Sequence, residues 1–157
     1  MMYLRQTALI VLLGWMFGFL FNQFSPSGIS ITGHNPVTNV KEEAAQANLP
    51  TISLDQAYSE FASGAVVFVD ARPPDLFSEG RIEGAFNMPE HTVAAQLPEF
   101  RHIIPTAVPV VVYCDGQDCV SSLTVARELA EAGYRDVRVF YGGWNEWMGA
   151  GYPIEWD

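Results

Sequence analysis

Residues 110–126 read Val110-Val111-Val112-Tyr113-Cys114-Asp115-Gly116-Gln117-Asp118-Cys119-Val120-Ser121-Ser122-Leu123-Thr124-Val125-Ala126. The opening four residues form a continuous apolar run, which predicts a strand buried on both faces and ending at Cys114. From residue 121 to 132 the period changes, because Leu123, Ala126, Leu129 and Ala130 share one face of a helix. A strand, a polar loop and a helix in that order place a sulfur at a strand's carboxyl end and just ahead of a helix start. In open α/β sheets ligands bind at that end. Loop amides and the helix N-terminus add partial positive charge there, which favours a thiolate or persulfide anion.

The flanking sequence repeats the alternation. Val66-Val67-Phe68-Val69 is a second apolar run, ending at Asp70. Residues 85–88 read as a short strand, 90–100 as a helix, Val137 to Tyr141 as a strand, and Trp144 to Gly149 as a last helix before Gly151-Tyr152-Pro153. Ser53 with Gln56 forms a capping-box signature ahead of a short helix carrying Leu54, Ala57, Tyr58 and Phe61. Strands alternating with helices predict an α/β fold with a mainly parallel sheet.

The first fifty residues differ in kind. Thr7 to Phe21 is an uncharged apolar stretch, extended by Asn22-Gln23-Phe24. As a helix, about eighteen residues span ~27 Å, close to the ~30 Å hydrocarbon core of a bilayer. Arg5 precedes it and the next basic residue is Lys41, so the expected orientation puts the N-terminus in the cytoplasm and the rest on the periplasmic or extracytoplasmic side. A small-x-small cleavage site is lacking after Phe21, which favours an uncleaved signal anchor over a removed signal peptide. Gly14 and Gly18 have GxxxG spacing, a pattern that is usually incidental in apolar helices. Residues 25–50, with Ser-Pro-Ser-Gly, Gly-His34-Asn-Pro and Lys-Glu-Glu-Ala-Ala-Gln, read as a linker, at most transiently helical near its end. The expected division is an anchor at 1–24, a linker at 25–50 and a folded domain at 51–157.

Charge narrows the partners. Residues 51–157 hold sixteen Asp/Glu against six Arg, which accounts for the chain's whole net charge of −10. Such a surface repels phosphate backbones, excluding nucleic acid, and it leaves the apolar N-terminal helix as the route to a membrane. Two cysteines are too few for a disulfide framework and make half of a structural zinc site. His91 and His102 have no Cys or His at ligand spacing, so neither a metal nor another cofactor is expected.

Three ordered motifs carry a resemblance to a known family. The segment from Asp70 through Arg72, Phe77, Gly80, Gly84, Ala85 and Asn87 to Pro89 resembles the first signature of the rhodanese-like sulfurtransferases. Val111-Val112-Tyr113-Cys114 resembles the strand bearing their persulfide-forming cysteine, and Gly142-Gly143-Trp144 through Trp147 to Gly151-Tyr152-Pro153 resembles their closing signature. The resemblance covers residues 51 to 155. It implies a five-stranded parallel sheet with helices on both sides, and a sulfurtransferase that forms a persulfide on Cys114 and passes sulfur from a small donor to a thiol or protein acceptor.

The loop departs from the family pattern. With Ser122 as its closing serine, Cys114-Asp115-Gly116-Gln117-Asp118-Cys119-Val120-Ser121 is two residues longer than in relatives that turn over thiosulfate, and it lacks their Arg. Two unit charges ~5 Å apart interact by ~3 kcal/mol at an effective dielectric near 20. That outweighs a helix-end contribution of ~0.3–1 kcal/mol, so Asp115 and Asp118 disfavour thiosulfate as donor. Related cell-cycle phosphatases need an Arg where Val120 stands, which excludes that chemistry. Cys119 is the candidate resolving thiol. Asp70 is expected to pair with Arg81 or to cap backbone amides. Arg72 and Arg81 are the nearest cationic candidates, and Trp144 and Trp147 are expected in the core. Two alternatives to sulfur transfer stay open: a non-catalytic binding module, and a Cys114/Cys119 thiol–disulfide protein.

Overall fold

The computed structural model describes residues 40–156 and, ahead of them, Gln6. The expected anchor at 1–24, the GxxxG spacing and His34 lie outside the described residues, Gln6 apart. No helix among the described residues is long and apolar enough to cross a membrane.

The apolar runs build the middle of the sheet. Strands β1 (Thr51–Ile52), β2 (Val67–Asp70), β4 (Phe86–Asn87), β5 (Val110–Tyr113) and β6 (Val137–Phe140) form a five-stranded sheet in the order β1-β6-β5-β2-β4. Every pairing is parallel. A separate antiparallel pair joins β3 (Arg81–Ile82) to β7 (Ile154–Glu155). The helices are α1 (Val40–Gln46), α2 (Leu54–Ser63), α3 (Pro74–Glu79), α4 (Val93–Ile103), α5 (Ser121–Glu131) and α6 (Gly143–Gly149).

All four residues of β5 are fully buried, and alternation sorts them between two cores. Val110 and Val112 pack with Val93 and Phe100 of α4 and with Leu123, Val125, Ala126 and Leu129 of α5. Val111 and Tyr113 pack on the other face with Ala57 of α2 and Trp147 of α6. Each such side chain stabilises the fold by about 1.5–3 kcal/mol through removal from water. The five-stranded parallel sheet with helices on both sides is thus the expected one.

Several local expectations meet their residues. Ser53 Oγ accepts from the Gln56 amide at 3.4 Å and Gln56 Oε1 accepts from the Ser53 amide at 2.9 Å, completing the capping box. Other details differ. The end of the expected linker forms α1, whose Val40 and Ala44 lie one turn apart in the core of the α5 face. Asn48, at φ 54°, closes that helix end in the left-handed conformation that Asn tolerates, and Leu49 follows into the same core. The first signature also contains a short helix, α3, started by Pro74 at a position where a missing N–H costs nothing.

Candidate active site

β5 delivers Cys114 to the carboxyl edge of the sheet, 3% exposed. There its sulfur is bonded to that of Cys119, with the two Cα atoms 6.1 Å apart, inside the range a disulfide spans without backbone movement. A tight turn achieves this: the Cys119 amide donates to the Gly116 carbonyl at 3.1 Å, and α5 begins two residues later at Ser121. Ser122 is buried and its hydroxyl donates to the Cys119 carbonyl at 3.3 Å. The helix start therefore does follow the sulfurs, but Cys114 is joined to Cys119 rather than held as an anion.

Amides from distant elements hold the loop's carbonyls. The Trp144 and Asn145 amides at the start of α6 donate to the carbonyls of Cys114 (2.8 Å) and Asp115 (2.9 Å), and the Val40 amide of α1 donates to that of Gln117 at 3.0 Å. Gln117 also donates through Nε2 to Glu146 of α6 at 3.1 Å. Gly143 makes this approach feasible. Its φ is +59°, and a Cβ there would run into the carbonyl of Cys114 and the backbone of Asp115 and Gly116.

Beneath the loop lies a buried ion pair. Asp70 is 0% exposed and Arg72 2%. Arg72 Nε donates to both Asp70 oxygens at 3.1 Å, and its Nη2 donates to Oδ2 at 2.7 Å and to the Gly80 carbonyl at 2.6 Å. The Arg72 amide donates to Asp70 Oδ1 at 2.9 Å. The guanidinium stacks over Trp144 at 4.7 Å and sits 5.9 Å from the Tyr113 ring. Burial works against its charge, but the Asp70 hydrogen bonds and charge prevail and hold it above the ordinary arginine value. Its remaining nitrogen, Nη1, lies 3.9 Å from Oδ1 of Asp115, whose side chain is 45% exposed. A carboxylate oxygen of Asp115 and the two sulfurs lie within 4.8 Å of one another. With the sulfurs bonded together, that triplet offers no thiolate to a metal.

Tyr113 ties the strand to its surroundings. Its hydroxyl accepts from the Ile82 amide at 3.1 Å. Burial first, and then neighbouring Asp70, push its phenol far above the usual tyrosine value.

The structure thus joins Cys114, Cys119, Asp115 and Arg72 at one place. Gln117, Asp118 and Val120 form the loop's exposed side. Two expectations need correction. Asp70 is held by Arg72, not Arg81, although it does cap a backbone amide as expected. Arg81 lies away in β3, where its Nε donates to Glu155 at 2.8 Å and its guanidinium covers Phe77. As expected, Trp147 is in the core and half-buried Trp144 packs against it, with the Arg72 guanidinium over its ring. Sequence reasoning missed Glu146, Asn145 and Val40, which reach the loop from remote elements and leave no local signal.

Comparison with known proteins identifies the family and the fold. The rhodanese-like domain family matches residues 53–150. The thiosulfate sulfurtransferase GlpE of Actinobacillus succinogenes is 32% identical over 104 residues, covering 66% of this chain and 88% of that protein. A human single-domain sulfurtransferase is 25% identical, with a TM-score of 0.55 over 64% of this chain and 96% of that one. A Bacillus halodurans protein, 17% identical, shares the fold at a TM-score of 0.62 over 74% of this chain and 83% of its own.

Proposed function

The chain belongs to the rhodanese-like sulfurtransferase family, and on that premise we propose that it carries sulfane sulfur on Cys114, with Cys119 as its resolving thiol. The observation behind this reading is the Cys114–Cys119 bond at the carboxyl end of β5, which puts a second sulfur within bonding reach of the first. The cycle starts from the dithiol, formed when an external dithiol reduces the disulfide and is itself oxidised. The Cys114 thiolate attacks the outer sulfur of a donor R–S–SH. The donor's S–S bond breaks, R–S⁻ leaves with the electron pair, and Cys114–S–SH remains. An acceptor thiolate R′–S⁻ then attacks that outer sulfur, forming R′–S–SH and restoring the Cys114 thiolate. Without an acceptor, the Cys119 thiolate attacks the inner sulfur, closes the disulfide and releases HS⁻.

Mass spectrometry of the reduced chain after exposure to thiosulfate, mercaptopyruvate or polysulfide tests this. One sulfur atom should be gained at Cys114, be absent in Cys114→Ser and persist longer in Cys119→Ser. An unmodified Cys114 with every donor overturns the reading.

The same bond also favours a second reading, a thiol–disulfide protein that exchanges electrons without carrying sulfur. A pair that stays reduced under mild oxidation would remove it. The sulfur-transfer proposal includes a location. The uncharged stretch Thr7 to Phe21 behind Arg5 supports a membrane anchor with the domain on the extracytoplasmic side, and a cysteine pair that closes into a disulfide suits an oxidising compartment.

A further inference from the structure

This inference rests on the sulfur-transfer reading and adds the class of donor. We propose that Asp115 is a built-in anion that sets donor specificity, excluding dianionic donors and admitting those of zero or positive net charge. Two distances carry it. A carboxylate oxygen of Asp115 lies within 4.8 Å of the Cys114 sulfur, where a donor's reacting atom must arrive. The same side chain faces the buried Arg72 Nη1 at 3.9 Å and so takes up the one guanidinium nitrogen turned toward the loop.

Asp70 already neutralises Arg72 through hydrogen bonds to both of its carboxylate oxygens. The Asp70–Arg72–Asp115 triplet therefore carries one net negative charge, and the excess sits on the side facing the sulfur. No cationic side chain in the loop opposes it, since residues 115–122 contain no Lys or Arg, and Glu146 adds a further carboxylate against Gln117. A dianion is repelled about twice as strongly as a monoanion at the same distance. Solvent screening of a half-exposed carboxylate moderates the effect. The backbone of residue 115 is fixed by the Asn145 amide on its carbonyl, so the carboxylate can be neutralised without releasing the loop.

The test is a charge-graded donor series on the reduced full chain. Its members are thiosulfate (dianion), an alkanethiosulfonate (monoanion) and the persulfide of an ammonium-bearing thiol. Each delivers one sulfur to the Cys114 thiolate and leaves as sulfite, sulfinate or thiolate. Loading of Cys114 is followed by mass spectrometry and rate. The wild-type chain should load fastest from the ammonium persulfide and slowest from thiosulfate. Asp115→Asn should raise kcat/KM for thiosulfate about tenfold, mostly through KM, raise it less for the thiosulfonate, and change the ammonium persulfide by less than about threefold. Asp55→Asn removes a charge outside the loop and should leave the ratios alone. An equal gain with all three donors would reduce the effect to thiol ionisation and overturn this proposal alone, as would an unchanged thiosulfate-to-persulfide ratio. Failure of every donor to load the wild-type chain overturns the sulfur-transfer reading as well.

Discussion

Breaking the buried pair under the loop should cost far more than removing it whole. Asp70 and Arg72 are almost entirely out of water, and the guanidinium is satisfied by both carboxylate oxygens and the Gly80 carbonyl. Arg72→Met strands a buried carboxylate and Asp70→Asn a buried guanidinium, each worth about 3–5 kcal/mol. If the two were independent, the double variant would lose about 6–10 kcal/mol, comparable with the whole ~5–15 kcal/mol stability of a domain. In Asp70→Asn/Arg72→Met no charge stays buried, and the Asn oxygen can still accept from the residue 72 amide. The main remaining loss is the orphaned Gly80 carbonyl, about 1–3 kcal/mol. Urea unfolding of the full chain in mild detergent, followed by tryptophan fluorescence, gives all four corners of the cycle. A double variant as unstable as the sum of the singles, within about 0.5 kcal/mol, would refute the assignment of this pair as one coupled unit.

Trp147 is fully buried between α2 and the sheet, and its indole N–H donates to the Pro153 carbonyl at 2.9 Å. Trp147→Ala should therefore destabilise the chain by about 3–5 kcal/mol in the same titration, whereas a loss under about 1 kcal/mol would contradict the packing. Gly143→Ala combines a left-handed backbone with a collision against the Cys114 carbonyl, so it should lose about 1–3 kcal/mol and slow sulfur loading together. Normal loading would show that the loop does not need this close approach. The phenol of Tyr113 ionises in the unfolded chain near pH 10 but stays protonated when folded. The unfolded state then binds fewer protons, so stability is intact below pH 10 and falls as pH rises above it, by up to ~1.4 kcal/mol per unit from this group. Tyr113→Phe should flatten the slope between pH 10 and 11 by about 1 kcal/mol per unit, and identical slopes would mean that the phenol is not buried.

What the sequence revealed depended on how many residues state one periodicity. Val110 to Tyr113 declares itself because burial on both faces removes polar alternation, and the Ser53/Gln56 box declares itself because its partners are three residues apart. β3 and β7 have two residues each, too few to show any period, and they exist only through mutual pairing. α1 was obscured because its buried face is only Val40 and Ala44, set around Lys41, Glu42 and Glu43. The choice of Arg72 over Arg81 as the ion-pair partner of Asp70 is hidden in the sequence for a related reason. Arg72 and Arg81 are both cations downstream of the strand, and the chain's turn after β2, which brings the nearer one back over the carboxylate, has no compositional mark. Cys114 and its loop were visible from strand, sulfur and helix order. Glu146 was not, because it reaches Gln117 across twenty-nine positions.

Those long-range contacts hold the disulfide-bonded loop from elements remote in sequence. The loop's shape does not depend on the sulfur–sulfur bond alone. Its carbonyls at residues 114, 115 and 117 are held by amides from α6 and α1, and its side chains reach Glu146 and the Arg72 guanidinium. None of those contacts involves sulfur. Each of these backbone hydrogen bonds contributes about 0.5–1.5 kcal/mol net. The loop brings a second sulfur to the first and a carboxylate beside both, inside a frame anchored by α1 and α6.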